Sequence, residues 1–238
     1  MKLYFYVTDV FFSLIESLIS SISGGFGRKI RYFYYKTRLK SLGEKVVFDD
    51  GVRIHNPQLV SIGENTWIDR NVTIIAGLPQ KIVGPIHMIS NSRYQNSNGE
   101  VYIGSNCHIS INSILQGHGG LSIGDDSTVA SGCMLYSMSH HYRNLGDPDD
   151  HNIYKFTSMV PEEEQSIIIS PVVMEKYTAL GLNSVILPGG TIGEGSWVGV
   201  LSVVKGTIPP YSIAEGNPAK VVKRRTTAHQ SVGQDETE

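Results

Sequence analysis

The stretch from Met174 to Val204, MEKYTALGLNSVILPGGTIGEGSWVGVLSVV, puts an apolar residue at every sixth position: Met174, Leu180, Ile186, Ile192, Val198 and Val204. Four residues after each of the first five come Thr178, Ser184, Gly190, Ser196 and Ser202, all small. A helix of period 3.6 does not produce this pattern, and neither does a strand of period 2. A chain wound into three-sided coils does. One apolar residue per face points inward, a small residue fits beside each corner, and each coil buries the apolar side of the next.

The same period recurs upstream. Ile62, Ile68 and Ile74 form one run, with Thr66 and Val72 at the small position. Ile103 and Ile109 form another, with Cys107 and Ser113; Ile123, Val129 and Leu135 form a third, with Ser127, Cys133 and Ser139. Val46 and Val52 begin an earlier, less regular coil. Both cysteines fall at the small position and are expected to be buried, inert thiols rather than nucleophiles. Two thiols make no disulfide scaffold, so a reducing, cytoplasmic setting is expected.

Composition agrees with turn-rich β structure. Glycine accounts for 25 of 238 residues and charged residues for only 18%, against roughly 25% charged in typical soluble domains. The hydrophobic content of 40% is enough for a core. With 20 basic against 22 acidic residues, no global positive field exists to neutralise phosphates, and a nucleic-acid partner is not expected.

Residues 1–45 stand apart from the coil, which is expected over 46–210. Val7, Val10, Phe11, Leu14, Ile15, Leu18, Ile19 and Ile22 follow i, i+3, i+4 spacing, the mark of one apolar helix face. Asp9 and Glu16 interrupt the apolar run and argue against a membrane span. Gly24 and Gly25 should stop the helix. Arg28, Lys29, Arg31, Lys36, Arg38 and Lys40 follow with no acid among them, the reverse order for a cleaved signal peptide. Such a helix either packs on its own domain or on a second subunit, or lies on anionic lipid, making residues 3–40 a peripheral membrane contact.

Two stretches break the period. Residues 76–100 are rich in Gly, Pro, Asn and Ser, and residues 142–166 carry Asp147, Asp149, Asp150, Glu162, Glu163 and Glu164 against only Arg143 and Lys155. Long loops on a rigid scaffold are candidate walls of a binding site. Residues 211–238 form a C-terminal segment whose polar end, from Thr226, is expected to be a loose tail.

Beyond the period, Ile186-Leu-Pro-Gly-Gly-Thr-Ile-Gly193 and Ile208-Pro-Pro-Tyr-Ser-Ile-Ala-Glu-Gly-Asn-Pro-Ala-Lys220 resemble the hexapeptide-repeat acyltransferases over residues 46–225. The likeness is greatest to sugar and surface-polysaccharide O-acetyltransferases of the galactoside and maltose type. This resemblance implies an all-β, left-handed parallel β-helix, an exception to the right-handed crossover rule. It also implies a homotrimer with sites between subunits, acetyl-CoA as donor, and no metal.

Acyl transfer to a hydroxyl needs a base for the hydroxyl proton and an acid for the departing thiolate, and one imidazole can serve as both. His140 and His141 lie where a regular coil ends and the acidic loop begins. In the resembled family the base sits at a matching point, and His140 aligns with it; His141 takes the next slot as a candidate acceptor contact. Counting back from Ile123, Asn112 falls where those sugar O-acetyltransferases have an acceptor-binding Asn. His118 falls where they have an Asp and is a further acceptor candidate. Carried over by position, Leu182 and Val200 would offer backbone contacts to pantetheine. Lys205, displaced by one from the family's Thr-Lys, would face the CoA phosphates with Lys220 and Lys223.

Other classes remain open. A zinc-dependent carbonic anhydrase on the same fold expects a His-x4-His pair, which this chain lacks. Neither a Walker-type loop nor G-x-G-x-x-G occurs. N-acetylation of an amino sugar or amino acid by the same fold is an alternative, and so is a catalytically silent scaffold of a glycan-synthesis complex. The expectation is an acetyl-CoA-dependent O-acetyltransferase acting on a sugar of a bacterial surface glycan, with His140 as general base.

Overall fold

The computed structural model describes residues 2–78, 84–88 and 99–225. Much of the 76–100 insertion and the expected tail from Thr226 lie outside the described residues.

From Ser41 the chain winds through three parallel sheets, and each turn visits a first, a second and a third face in that order. The first face holds seven strands, from Ser41–Leu42 to Thr207–Ile208. The second runs from Val47–Phe48 to Ser212–Glu215 and is closed by the antiparallel strand Lys220–Arg224. The third runs from Arg53–His55 to Val203–Val204. The winding is that of a left-handed parallel β-helix.

The six-residue period is the register of this coil. Ile62, Ile103, Ile123, Met174 and Ile192 stack inside the first face, and Ile68, Ile109, Val129, Leu180 and Val198 inside the second. Ile74, Leu115, Leu135, Ile186 and Val204 stack inside the third, and all are buried. The small positions form ladders at two corners. Ser113, Cys133, Ser184 and Ser202 follow one another at the entrance to the third face, and Thr66, Cys107, Ser127, Thr178, Ser196 and Ser212 at the entrance to the second. Hydroxyls there bond to the next coil's backbone: Ser184 Oγ donates to the Gly199 carbonyl at 2.9 Å and accepts from Ser202 N–H at 3.0 Å. The thiols of Cys107 and Cys133 occupy the same places and are buried. Burial pushes the Cys107 thiol up to about 11 and raises that of Cys133. A thiolate is disfavoured at both positions.

Ser139 departs from the pattern. It is exposed, and Ser137 is the buried residue instead, because the chain leaves the coil after Tyr136.

Helices α1 (Lys2–Ser20) and α2 (Gly24–Lys36) cover the first coil. Gly27, Arg31 and Tyr35, spaced by four, form the buried face of α2. Arg31 Nη1 donates to the Ile19 and Ile22 carbonyls and Nε to that of Phe48, binding the end of α1, α2 and the coil together. The single apolar face expected of the first helix is split. Ile19 is buried, whereas Phe11, Leu14 and Leu18 are exposed. Glu16 faces inward, accepting from the Tyr35 hydroxyl at 2.8 Å and from Ile54 N–H at 3.2 Å. This polar seam turns the helix away from the orientation its apolar spacing suggests. No helix among the described residues is long and apolar enough to cross a membrane.

Candidate active site

Both insertions leave the coil at one corner, between the third face and the first, and their strands meet there. Met138–His141 runs antiparallel to Ser166–Ile169, with His140 opposite Ile167, and Ile86–Met88 pairs parallel with the same strand. The exit from the coil is held by polar contacts. Ser137 Oγ donates to the Gln116 carbonyl at 2.7 Å and accepts from Gly119 N–H at 2.8 Å. Gln116 Oε1 accepts from Met138 N–H at 3.0 Å. Gly119 is required, since a Cβ there would sit 2.6 Å from the Ser137 carbonyl and 2.9 Å from Ser170 N. These contacts fix where the strand carrying His140 begins.

His140 Nε2 lies 3.0 Å from Gln165 Oε1, and Gln165 Nε2 donates to the Val160 carbonyl at 2.8 Å. Gln165 is buried where the acidic loop returns. The loop is ordered by Asp150, which accepts from Tyr154 Oη at 2.5 Å, Asn152 N–H at 2.8 Å and Asn144 Nδ2 at 3.1 Å. The Tyr154 hydrogen bond leads these in holding the Asp150 carboxyl below its ordinary range, and the same bond raises the Tyr154 phenol. Glu164 pairs with Lys155. Much of the loop's acidic content therefore serves its own architecture.

The structure brings His118 to the same corner one coil below His140. Its Nδ1 donates to the Gly77 carbonyl at 2.6 Å. Successive residues of a strand point to opposite faces, so His141 does not share the face of His140; its Nδ1 lies 2.9 Å from the Arg143 carbonyl. Lys205 follows the last third-face strand and stands at the His140 corner, two coils above it.

Asn112, Leu182 and Val200 lie elsewhere, at the corner between the second and third faces. Asn112 takes a left-handed backbone conformation (φ 61°) and its Oδ1 accepts from Asn71 Nδ2 at 3.2 Å, which makes it part of a corner ladder. Within one chain it sits at the far end of strand Ile114–Gln116 from His118. Leu182 and Val200 are about half exposed and stack on adjacent coils. Their backbone N–H groups make no hydrogen bond among the described residues. Lys220 and Lys223 are exposed on the closing strand. Among the described residues no three His, Cys, Asp or Glu side chains group as a metal site.

Gln165, Gln116 and Ser137 escape a reading of the sequence. Gln165 follows 25 residues after His140 at the end of an acidic run, and nothing local marks it as a partner of an imidazole.

No family model matches the chain. It is 27% identical over 187 residues to a dTDP-4-amino-4,6-dideoxy-D-glucose acyltransferase of Escherichia coli, covering 79% of this chain and 83% of that protein. It is 33% identical over 104 residues to a protein of Escherichia coli K12 named as a lipopolysaccharide biosynthesis O-acetyl transferase, covering 44% of this chain and half of the other. Among solved structures, a variant of the N-acyltransferase AntD from Bacillus cereus, in complex with dTDP-4-amino-4,6-dideoxyglucose and coenzyme A, superposes with a TM-score of 0.66 at 23% identity, covering 85% of this chain and 92% of that one. A hexapeptide-repeat-containing acetyltransferase from Vibrio cholerae, complexed with acetyl coenzyme A, gives 0.52 at 19% identity, covering 91% and 86%. The structural likenesses carry the fold. Together with the sequence relatives and the two motifs in the last coils, they make the chain similar to the hexapeptide-repeat, left-handed β-helix acyltransferases.

Proposed function

We propose that the protein transfers an acetyl group from acetyl-CoA to a hydroxyl of a sugar, with His140 as general base. The observation that carries this proposal is the buttressed imidazole at the corner where both insertions emerge. His140 is anchored through Nε2, and its Nδ1 makes no hydrogen bond among the described residues. A sugar hydroxyl is a poor nucleophile until a base takes its proton, and a fixed neutral imidazole suits that task near neutral pH.

The acceptor O–H gives its proton to His140 as its oxygen bonds to the thioester carbonyl carbon. The tetrahedral intermediate collapses with cleavage of the C–S bond, and the imidazolium returns the proton to the leaving thiolate. Leu182 and Val200 N–H groups would bind the pantetheine amides, and Lys205, Lys220 and Lys223 the phosphates. His118, with its Nδ1 spent on Gly77 and its Nε2 lone pair free to accept, would bind an acceptor hydroxyl. Asn112 and the CoA corner would meet His140 only across subunits, so the proposed active unit is a homotrimer. The setting proposed is cytoplasmic synthesis of a surface glycan.

A second reading is favoured by the relatives that act on a nucleotide-linked amino sugar: N-acylation. An amine arrives partly neutral and sheds its proton after attack, so it leans less on the base. Thiol release from acetyl-CoA, measured with hydroxyl sugars and nucleotide-linked amino sugars for wild type and His140→Ala, separates the two. O-transfer predicts release with hydroxyl acceptors and a loss of at least about 100-fold in the variant. Near-normal turnover of His140→Ala overturns the role of His140, and release with amines alone overturns O-transfer.

A further inference from the structure

We infer that Gln165 is the positioning residue of His140: it fixes the neutral imidazole in the Nε2–H tautomer, so that Nδ1 is the atom that takes the acceptor's proton. This rests on His140 being the base. The Val160 carbonyl sets the orientation of the amide. A backbone carbonyl only accepts, so the side-chain group 2.8 Å from it must be the Gln165 amide nitrogen. The amide is thereby oriented, and its oxygen is the atom 3.0 Å from His140 Nε2. That oxygen also only accepts. Nε2 must therefore carry a proton, and in the neutral ring the lone pair is left on Nδ1.

The arrangement persists through a turnover. When Nδ1 gains a proton, Nε2–H remains a donor to the same oxygen, so neither side chain has to reorient. Gln165 is buried and its own amide is satisfied on both ends, which gives the contact a defined geometry. The partner is neutral. A carboxylate in its place would stabilise the imidazolium and hold the proton back from the leaving thiolate; an amide orients the ring without that charge. His118 provides an internal contrast one coil below, since its bond to the Gly77 carbonyl requires the opposite tautomer, Nδ1–H.

The test is 15N NMR of histidine-labelled full-length protein above the imidazole titration, with the two signals assigned through His140→Asn and His118→Asn. His140 should show a protonated Nε2 and an unprotonated Nδ1, and His118 the reverse. Gln165→Leu should leave the His140 nitrogens averaged between tautomers and lower kcat about 10- to 100-fold with KM changed less than about twofold, within the range a positioned base contributes. Gln165→Glu, which keeps an acceptor for Nε2–H, should recover part of that loss and move the acidic limb of the kcat–pH profile upward. An Nδ1–H tautomer at His140 in the wild-type protein overturns the inference, even if both variants fail to fold. So does a folded Gln165→Leu with unchanged tautomer and kcat. An active His140→Ala with the tautomer as stated would instead overturn the proposed function and leave the structural assignment of Gln165 standing.

Discussion

Ser184 tests whether the hydroxyl ladder, and not apolar stacking alone, holds successive coils together. The side chain is fully buried, and its oxygen serves two backbone groups of the next coil, the Gly199 carbonyl and the Ser202 N–H. In Ser184→Ala the vacated space is about one oxygen atom, too small for a replacing water. A buried group left without a partner costs about 1–3 kcal/mol; two groups at about 1.5 kcal/mol each give a loss of about 3 kcal/mol. Ser184→Cys is the graded control, because Cys133 already occupies the adjacent rung and places its thiol 3.0 Å from the Gly181 carbonyl. A thiol is a weaker donor and acceptor, so the cysteine variant should lose about half as much. The assay is urea unfolding followed by fluorescence of Trp67 and Trp197, at one fixed protein concentration because assembly makes apparent stability concentration-dependent. An alanine variant within about 0.5 kcal/mol of wild type, the scale of ordinary surface substitutions, refutes the ladder. A cysteine variant less stable than the alanine one refutes it equally.

Other outcomes follow from the same packing. Gly104→Ala would set a Cβ 2.7 Å from Asp125 N and 2.9 Å from Gly124 C, backbone atoms of the next coil, while Gly206 has nothing within 4 Å. The first should cost about 1–3 kcal/mol and the second should be near neutral; equal effects in the same unfolding assay would contradict the close coil spacing. Native Cys107 and Cys133 should resist a thiol reagent at pH 8 and react fully once unfolded, and rapid native labelling would show them to be open. Stability should fall as pH rises above about 9, where the unfolded thiol ionises while Cys107 keeps its proton up to about 11. The folded state binds more protons in that window, so the slope is about 1.4 kcal/mol per pH unit for each such group. Burial, with Glu16 beside it, raises the Tyr35 phenol well above its ordinary value and extends the decline. Cys107→Ser should flatten the pH 9–11 part of the curve, and an unchanged slope would remove the thiol from this account.

The coil was legible in the sequence because its geometry repeats at every turn. An inward position is inward in each coil, so Met174, Leu180, Ile186 and their successors carry the same demand and show it as a period. The small residues show it for the same reason, and the pair His140 and His141 stands out because it lies where the repetition stops; the family resemblance, not the period, selects His140 of the two. What broke the repetition was not legible. Ser139 sits at the periodic spacing yet is exposed, since the chain has already turned into the antiparallel strand. The N-terminal helix has an apolar spacing that does not state which residues face the coil. Glu16 was selected for the inside by Tyr35 and Ile54, partners 19 and 38 residues away.

The candidate site divides along the same line. Sequence alone singled out an imidazole at the end of a coil, because side-chain identity and the end of a period are local properties. Only the tertiary structure decided that Gln165 faces His140, that His141 faces away, and that Asn112 belongs to another corner. Those relations depend on where two loops of about 25 residues return to the scaffold, and a chain carries no periodic record of a contact made once.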